Sequence, residues 1–508
     1  MVIELVAARI LAPQIGVSLY TWTSIIGVIL AGIALGNFIG GKIADKFASP
    51  GLLVTVLFVG TLVTLAILPV SKATADVYWF SSLHVMLNSI SRVSCIFFLP
   101  ALVLSMVSPM VIKLTLADLG RTGGVVGTIY ACSTAGSILG TFMTGFYFIL
   151  WFGTRTTIWL VVAVLMLIGI LTWFSWKMMR RWVVSIPNII IWTLATLIAL
   201  SAILLFKFPE SWQQSYTKES NYYSINVQNA SDLGISTKNE NRIIKILVLD
   251  KLIQSYVVPD DPTFLEYGYL KIFEGVVKYF TRDNSAPTIL HLGGGGYSLP
   301  RYIEVTYPGS LNDVVEIDPA VTQIAYDELG LPRETRITTY NQDARLFLSG
   351  QPTQRKYDIV VGDVFNDMTT PYHLTTLEFD RLVKTNMAGN GIYLLNIIDN
   401  YHSGQFLPAV LYTLKHAFMH VYLFTSSEYY NVAPIDTFVI AATDTRIDLE
   451  DFNEFISGDA KARPPLYIHD GKKLEQYLSD RNPILLTDDY APTDILVAPL
   501  FRLRLERK

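Results

Sequence analysis

Long uncharged apolar runs crowd into the first 206 of the 508 residues, and they limit what this chain can fold into. A bilayer core about 30 Å thick is crossed by roughly 20 consecutive apolar residues in a helix. Stretches of that kind lie near 18–41, 51–71, 93–115, 125–152, 156–176 and 183–206. A shorter apolar segment, 1–13, has no charged leader or cleavage site before it and reads as a first, shortened span rather than a signal peptide. About seven crossings are therefore expected. Charged residues are only 16% of the chain, against about 25% in an ordinary globular domain, and nearly all the acidic ones fall beyond residue 207. A net charge of −4 offers no broad basic face, so nucleic acid is not expected as a partner. Cys95 and Cys132 lie in apolar segments and form neither a disulfide framework nor a metal-ligand spacing.

Two expected spans carry small residues four apart: Gly32, Gly36 and Gly40, and again Gly127, Ala131 and Ala135. Such rows let helix backbones approach closely where lipid supplies no hydrophobic drive, so a packed bundle is expected rather than a pore lining. Charges inside spans would argue for transport. Only Glu4 and Arg9 in the first segment, and Arg92 at a span edge, come near that description. The stretch 40–46 (Gly-Gly-Lys-Ile-Ala-Asp-Lys) briefly resembles the short loop between early helices of major-facilitator transporters.

Beyond residue 207 the chain turns polar, with strand patterns and clear turn signals. Segments 222–228, 242–249 and 252–258 are short and β-rich, which predicts a small antiparallel sheet. From 287 onward strands alternate with amphipathic helices, predicting a parallel sheet covered on both faces. The candidate strands are 287–292, 313–317, 336–340, 357–362, 391–397, 420–425 and 436–442. Seven strands closing on a hairpin-like pair fit the methyltransferase variant of the doubly wound fold. The expected domains are thus 1–206 (transmembrane helices), 207–260 (linker and small sheet) and 261–508 (Rossmann-like α/β).

Ligands bind open α/β sheets at the carboxyl ends of the strands. The loop His291-Leu292-Gly293-Gly294-Gly295-Gly296 follows an apolar strand, and its glycines permit a sharp turn and close approach to a ligand. The next strand ends in Val315-Glu316-Ile317-Asp318, about 20 residues on, where a carboxylate can accept ribose hydroxyls. Asp343 follows the third strand, where it can accept from an adenine amino group, and Asp363 ends the fourth. Each carboxylate alone could be a helix cap, but four at strand ends point to a nucleotide site. His291 reads as structural, whereas His373 is a candidate for the pocket wall. Asp488 and Asp489 either close over the site or cap a terminal turn, the latter being the preferred reading, and Tyr429 and Tyr430 read as packing.

The order Glu219-Ser220-Asn221-Tyr222, Leu247-Val248-Leu249-Asp250 with Gln254, Tyr267-Gly268-Tyr269, the glycine loop and Val315-Glu316-Ile317-Asp318 resembles spermidine synthase, over roughly 219–445. Segments 119–153 and 486–492 resemble the helix pair and the tail of the transmembrane spermidine-synthase-like proteins. The resemblance implies S-adenosylmethionine or its decarboxylated form as substrate, with no metal. It implies Gln254, Gly293, Gly295, Glu316 and Asp343 on the nucleotide, Tyr269 shaping the acceptor pocket, and Asp363 as the acid/base residue. The departures are informative. Gly296 stands where the family has Asp, Asn366 where it has a second Asp, and Leu270 and Tyr223 where it has Gln. Groups that would grip a cationic amine are missing, and a buried cation without carboxylates is costly.

Three readings follow. The first is an acceptor-free lyase, in which the substrate's own carboxylate closes a lactone and releases methylthioadenosine; the missing amine-binding carboxylates favour it. The second is an aminopropyltransferase with an altered acceptor site. The third is methyl transfer, or nucleotide sensing by a transporter, since one fold serves many chemistries. The expected partners are a small molecule and the lipid bilayer, and a homo-oligomer is compatible with the sequence. Lys42, Lys46, Lys113, Arg121, Lys177, Arg180 and Arg181 share one side, which the positive-inside rule makes cytoplasmic. With an odd number of spans, that count puts the C-terminal domain outside. A nucleotide made in the cytoplasm puts it inside, at an inner membrane, and this second argument sets the expectation.

Overall fold

The computed structural model describes all residues except 16–18, 76, 78–84, 117–121, 180–215, 234–241, 251, 351–355, 366–369, 427–429, 431–432, 459–466 and 507–508. The chain divides into two compact units, Met1–Ser224 and Ile225–Lys508.

In the first unit, five described helices are long and apolar enough to cross a membrane: Leu19–Phe47, Pro50–Thr74, Met86–Thr115, Thr122–Phe148 and Trp151–Trp176. The segment expected to span first is a helix of 14 residues, Val2–Ile15, short of a bilayer's thickness. The span expected at 183–206 lies outside the described residues. The first row of small residues is a helix contact. A Cβ on Gly32 would come within 2.9 Å of Ala101 Cβ, one on Gly36 within 2.0 Å of Ser105 Oγ, and one on Gly40 within 2.8 Å of Met106 Cα. Only glycine lets these two backbones close to that distance. The second row behaves otherwise: a Cβ on Gly127 would meet nothing within 4 Å, and helix Thr122–Met143 buries none of its residues.

Arg92, in the last turn of helix Val85–Val93, is buried, only 2% exposed. Its Nε donates to Asn88 Oδ1 (2.8 Å) and its Nη1 to the Thr74 carbonyl (2.5 Å) and Gln14 Oε1 (3.4 Å). Gln14 Nε2 in turn donates to Ser71 Oγ (2.8 Å), so the guanidinium sits in a polar knot drawn from several helices. Burying such a charge requires that its donors be satisfied, and neutral oxygens do much of that here. Cys95 and Cys132 are unpaired and exposed.

Strand β1 (Tyr216–Glu219) falls in the first unit. Next in the chain, β2 (Ser224–Asn229), β3 (Lys245–Leu249) and β4 (Leu252–Val257) pair antiparallel. This small sheet stands directly ahead of the main sheet in sequence, far from the chain's N-terminus. The main sheet comprises β5 (Thr288–Leu292), β6 (Leu311–Val315), β7 (Thr338–Tyr340), β8 (Tyr357–Gly362), β9 (Met387–Asp399), β10 (His420–Thr425), β11 (Asp436–Thr443) and β12 (Tyr467–His469), in the order β12-β10-β11-β9-β8-β5-β6-β7. The run from β7 to β9 is parallel, and β11 inserts antiparallel between β9 and β10. This is a Rossmann-like sheet of the methyltransferase type, with β12 as an eighth strand that the apolar pattern did not predict.

Buried apolar runs make the central strands. Ile289, Ile359, Leu394 and Val439 share one buried apolar cluster with Phe273, Val276 and Val277 of helix Gly268–Phe280. Each such side chain contributes about 1.5–3 kcal/mol on burial. The order reverses between β5 and β8, whose neighbours diverge to either side. That switch point is where a crevice opens in such sheets.

Candidate active site

The glycine loop leaves β5 at the switch point. Gly293 has φ +94° and Gly295 φ +48°, conformations that cost a side-chain-bearing residue strain. A Cβ on Gly293 would fall 2.3 Å from the Asp363 carbonyl, so the loop can lie against the end of β8 only because this residue has none. Tyr297 ends the loop in the left-handed region as well (φ 56°), although it is bulky and fully buried. Its hydroxyl bonds Thr322 Oγ1 and Thr339 Oγ1 at 3.2 Å, and these contacts hold it there.

Glu316, after β6, is 7% exposed. Gly294 and Gly295 donate their N–H groups to its Oε2 (2.9 and 3.2 Å), and Asp318 donates to Oε1 (3.0 Å). Burial raises the carboxyl's pKa, and these N–H bonds oppose the rise. Three of about four acceptor positions are thereby filled, leaving one conventional position for a ligand hydroxyl.

Asp363 sits at the carboxyl end of β8, partly open to the surface. Asn396 Nδ2 donates to its Oδ1 (2.9 Å) and the Tyr269 hydroxyl to its Oδ2 (3.0 Å). Desolvation pushes its pKa above the usual carboxylate range against those two bonds. Tyr269 is stacked on Tyr267, ring centroids 5.4 Å apart, and Tyr267 is anchored by its hydroxyl to the Ile253 carbonyl (2.9 Å). A small cavity of about 40 Å³ lies among Gln254, Tyr269, His291, Gly293–Gly295, Ser298 and Asp363. Leu270 also lines it.

Asp343 does two jobs. Its Oδ1 caps helix Ala344–Gly350 by accepting from the Arg345 and Leu346 N–H groups (2.9 and 3.0 Å), while Oδ2 meets His373 Nε2 at 2.9 Å. Desolvation would raise its pKa, but the His373 bond and the two N–H bonds outweigh it and the net shift is downward. The cap reading and the pairing with His373 thus hold together. Beside it, Arg345 grips Asp488 with both Nη atoms (2.7 and 2.5 Å) and donates to the His373 carbonyl (3.1 Å). Thr376 Oγ1 also donates to Asp488 Oδ1 (2.7 Å), so the tail is fastened to the His373 loop rather than merely capping a turn.

Of the residues expected from sequence, Gln254, Tyr269, Gly293, Gly295 and Asp363 line one cavity. Glu316 is tied to the glycine loop around it, and Asp343 and His373 form a pair. Tyr223 belongs to the first unit, where its N–H donates to Ser220 Oγ (2.9 Å). Asn366 lies outside the described residues, as does Tyr429. Tyr430 packs edge-on against Tyr401 (4.8 Å). His291, read as structural, is buried, lines the cavity and leaves Nε2 without a hydrogen bond. Asn396 was missed; its signal is a lone amide within the apolar run Tyr393-Leu394-Leu395-Asn396-Ile397-Ile398. Ser255 was also missed. Its Oγ accepts from the Gly296 N–H (3.0 Å), and a Cβ on Gly296 would fall 2.6 Å from Ser255 Cβ. Among the described residues, no group of three or more His, Cys, Asp or Glu side chains could hold a metal ion.

No protein-family model matches the chain. Over 111 residues, 21% of its length, it is 38% identical to a polyamine aminopropyltransferase of Vibrio vulnificus (strain CMCP6), covering 36% of that protein. A probable polyamine aminopropyl transferase of Bifidobacterium longum (strain NCC 2705) is 32% identical over 22% of this chain and 24% of its own length. The mouse eEF1A lysine and N-terminal methyltransferase is 27% identical over 27% of this chain and 20% of its own. Each match spans only a minor part of the relative. Among solved structures, a probable spermidine synthase from Corynebacterium glutamicum ATCC 13032 aligns with a TM-score of 0.45 and 21% identity, over 53% of this chain and 95% of that one. Over the stretch that matches, this chain is homologous to the polyamine aminopropyltransferases.

Proposed function

We propose that the second unit binds an S-adenosyl nucleotide and cleaves its sulfonium carbon–sulfur bond, releasing methylthioadenosine. The observation that carries this reading is Asp363, an isolated carboxylate held by Tyr269 and Asn396 against the glycine-loop cavity. Glu316 supplies an acceptor for the ribose, and Asp343 with His373 borders the base. In group transfer, an amine nitrogen bonds to the methylene beside sulfur as the carbon–sulfur bond breaks. Asp363 takes the amine's proton and methylthioadenosine leaves with the bonding electrons. A carboxyl with a raised pKa is the better base for that step. The similarity to aminopropyltransferases supports transfer.

One observation favours a second reading. Among the described residues Asp363 is the only carboxylate lining the cavity, a poor seat for a polycation. The substrate's own carboxylate would then attack the same carbon, forming a lactone and releasing methylthioadenosine with no proton to move. In either case the first unit is proposed to lie in a lipid bilayer, with the second unit on the cytoplasmic side where such nucleotides are made. Its exposed Leu30, Phe38, Phe142 and Trp151 support the bilayer.

The test is incubation of detergent-purified protein with S-adenosylmethionine or its decarboxylated form, with and without polyamine, read by mass spectrometry. Methylthioadenosine is expected, and Asp363→Asn is expected to slow its release by about 10²–10⁴-fold. Release only with polyamine selects transfer, and release without it selects the lyase. The acid limb of kcat/KM is expected above the ordinary carboxylate range, since activity is lost as pH falls through the raised pKa. S-adenosylhomocysteine as the sole product would overturn the proposal.

A further inference from the structure

Two polar groups on the cavity wall have no role in the reaction above. His291 is 2% exposed, and its Nε2 has no hydrogen-bond partner; the Oγ of Ser298 is likewise buried without one. Both residues line the same cavity as Gln254 and Asp363. A buried polar group left unpaired costs about 1–3 kcal/mol, so two in one small cavity call for an occupant.

The chemistry of the wall indicates which occupant. Ser298 is the first residue of helix Ser298–Thr306, whose leading N–H groups and dipole favour negative charge. The Ser298 hydroxyl, the Gln254 amide and the His291 ring can all donate. Burial drives the imidazole's pKa down to about 4 against a hydrogen bond with Asn312, so at neutral pH the ring is uncharged; the tautomer with its proton on Nε2 is the one that donates into the cavity. On the other side, Asp363 accepts. The wall therefore presents neutral donors at one end and a carboxylate at the other, and a cavity of about 40 Å³ admits a group of only a few atoms.

Resting on the nucleotide reading of this site, we infer that His291 and Ser298, with the N-terminus of helix Ser298–Thr306, seat the α-carboxylate of the substrate, so that S-adenosylmethionine itself, and not its decarboxylated form, is what the enzyme takes. Among the described residues no lysine or arginine lines the cavity. The carboxylate brings its own counter-charges, the substrate's ammonium and sulfonium, and needs only donors from the protein. An extra ammonium of a polyamine would find no second carboxylate among the residues lining the cavity. The subsite thus accounts for the choice between two substrates that share every other atom of the nucleotide.

The experiment is calorimetric titration of the full chain in detergent with three probes: S-adenosylmethionine, decarboxylated S-adenosylmethionine and methylthioadenosine. The wild type is expected to bind S-adenosylmethionine roughly 10–100-fold more tightly than the decarboxylated form, the range expected for hydrogen bonds to a charged group. Ser298→Ala and His291→Leu are each expected to cut that preference by about tenfold while leaving methylthioadenosine affinity unchanged. Retained methylthioadenosine binding also certifies that a variant is folded, and the small Ser298→Ala change keeps the test open if His291→Leu is not. Equal or reversed preference in the wild type, or a preference that survives in the folded variants, overturns the subsite alone. Failure of the wild type to bind methylthioadenosine overturns the nucleotide reading, and the subsite falls with it.

Discussion

Ser255 decides what residue 296 can be. Spermidine synthases carry a carboxylate in the glycine loop there, and its replacement by glycine reads, from sequence, as the loss of an amine-binding group. The structure adds a steric cause: Ser255 Cβ would lie 2.6 Å and Val257 Cγ2 2.8 Å from any Cβ at 296. Strand β4 occupies the space that the side chain would need. Putting the acid back is therefore expected to fail as a repair. Gly296→Asp should destabilise the chain by about 2–3 kcal/mol through overpacking, measured as a lower urea midpoint. It should confer no polyamine binding, and adding Ser255→Gly should recover part of the stability. Unchanged stability in Gly296→Asp would mean that β4 yields easily.

At the scale of elements, the tail is part of the site's frame. Asp488 takes two bonds from Arg345 and one from Thr376, and its own N–H donates to Glu378 (3.0 Å), while the Leu377 N–H donates to the Leu486 carbonyl (2.9 Å). Both side chains are partly exposed, which limits the ion pair's strength. Asp488→Ala is expected to cost about 1 kcal/mol and to speed proteolysis around residues 486–492, detected by mass mapping. An unaltered cleavage pattern would show the tail held by its apolar contacts alone. How much of this was legible follows from the physics of each element. Central strands announce themselves because, buried on both faces, they carry apolar runs such as Ile359-Val360-Val361 followed by Gly or Asp. Edge strand β12 has only three residues and no run to betray it. The carboxylates Glu316, Asp343 and Asp363 were readable because chain order alone puts them at strand ends. Asn396, which donates to Asp363, and Ser255, which accepts from the glycine loop, come from elements distant in sequence, and no local pattern relates them to the site. The open nitrogen of His291 was not legible, because a histidine on a buried strand looks the same whether its nitrogen is satisfied or open.

For the whole molecule, the bilayer reading proposed above would give the unit of apolar helices and the unit of α/β layers different solvents. The five candidate helices have 25–30 residues, which at 1.5 Å rise is about 38–45 Å. A hydrocarbon core measures about 30 Å. In a bilayer the surplus has to be taken up by tilt, or stand among the headgroups as the last two turns of Leu19–Phe47, with Lys42, Asp45 and Lys46, are suited to do. Because the helices overreach, a thicker membrane would be met by straightening them and not by exposing polar ends. Melting temperatures in vesicles are thus expected to hold steady or rise as the acyl chains lengthen, and to fall in very short-chain lipid. In a bilayer, helices with such reserve would carry no fixed address in membrane thickness.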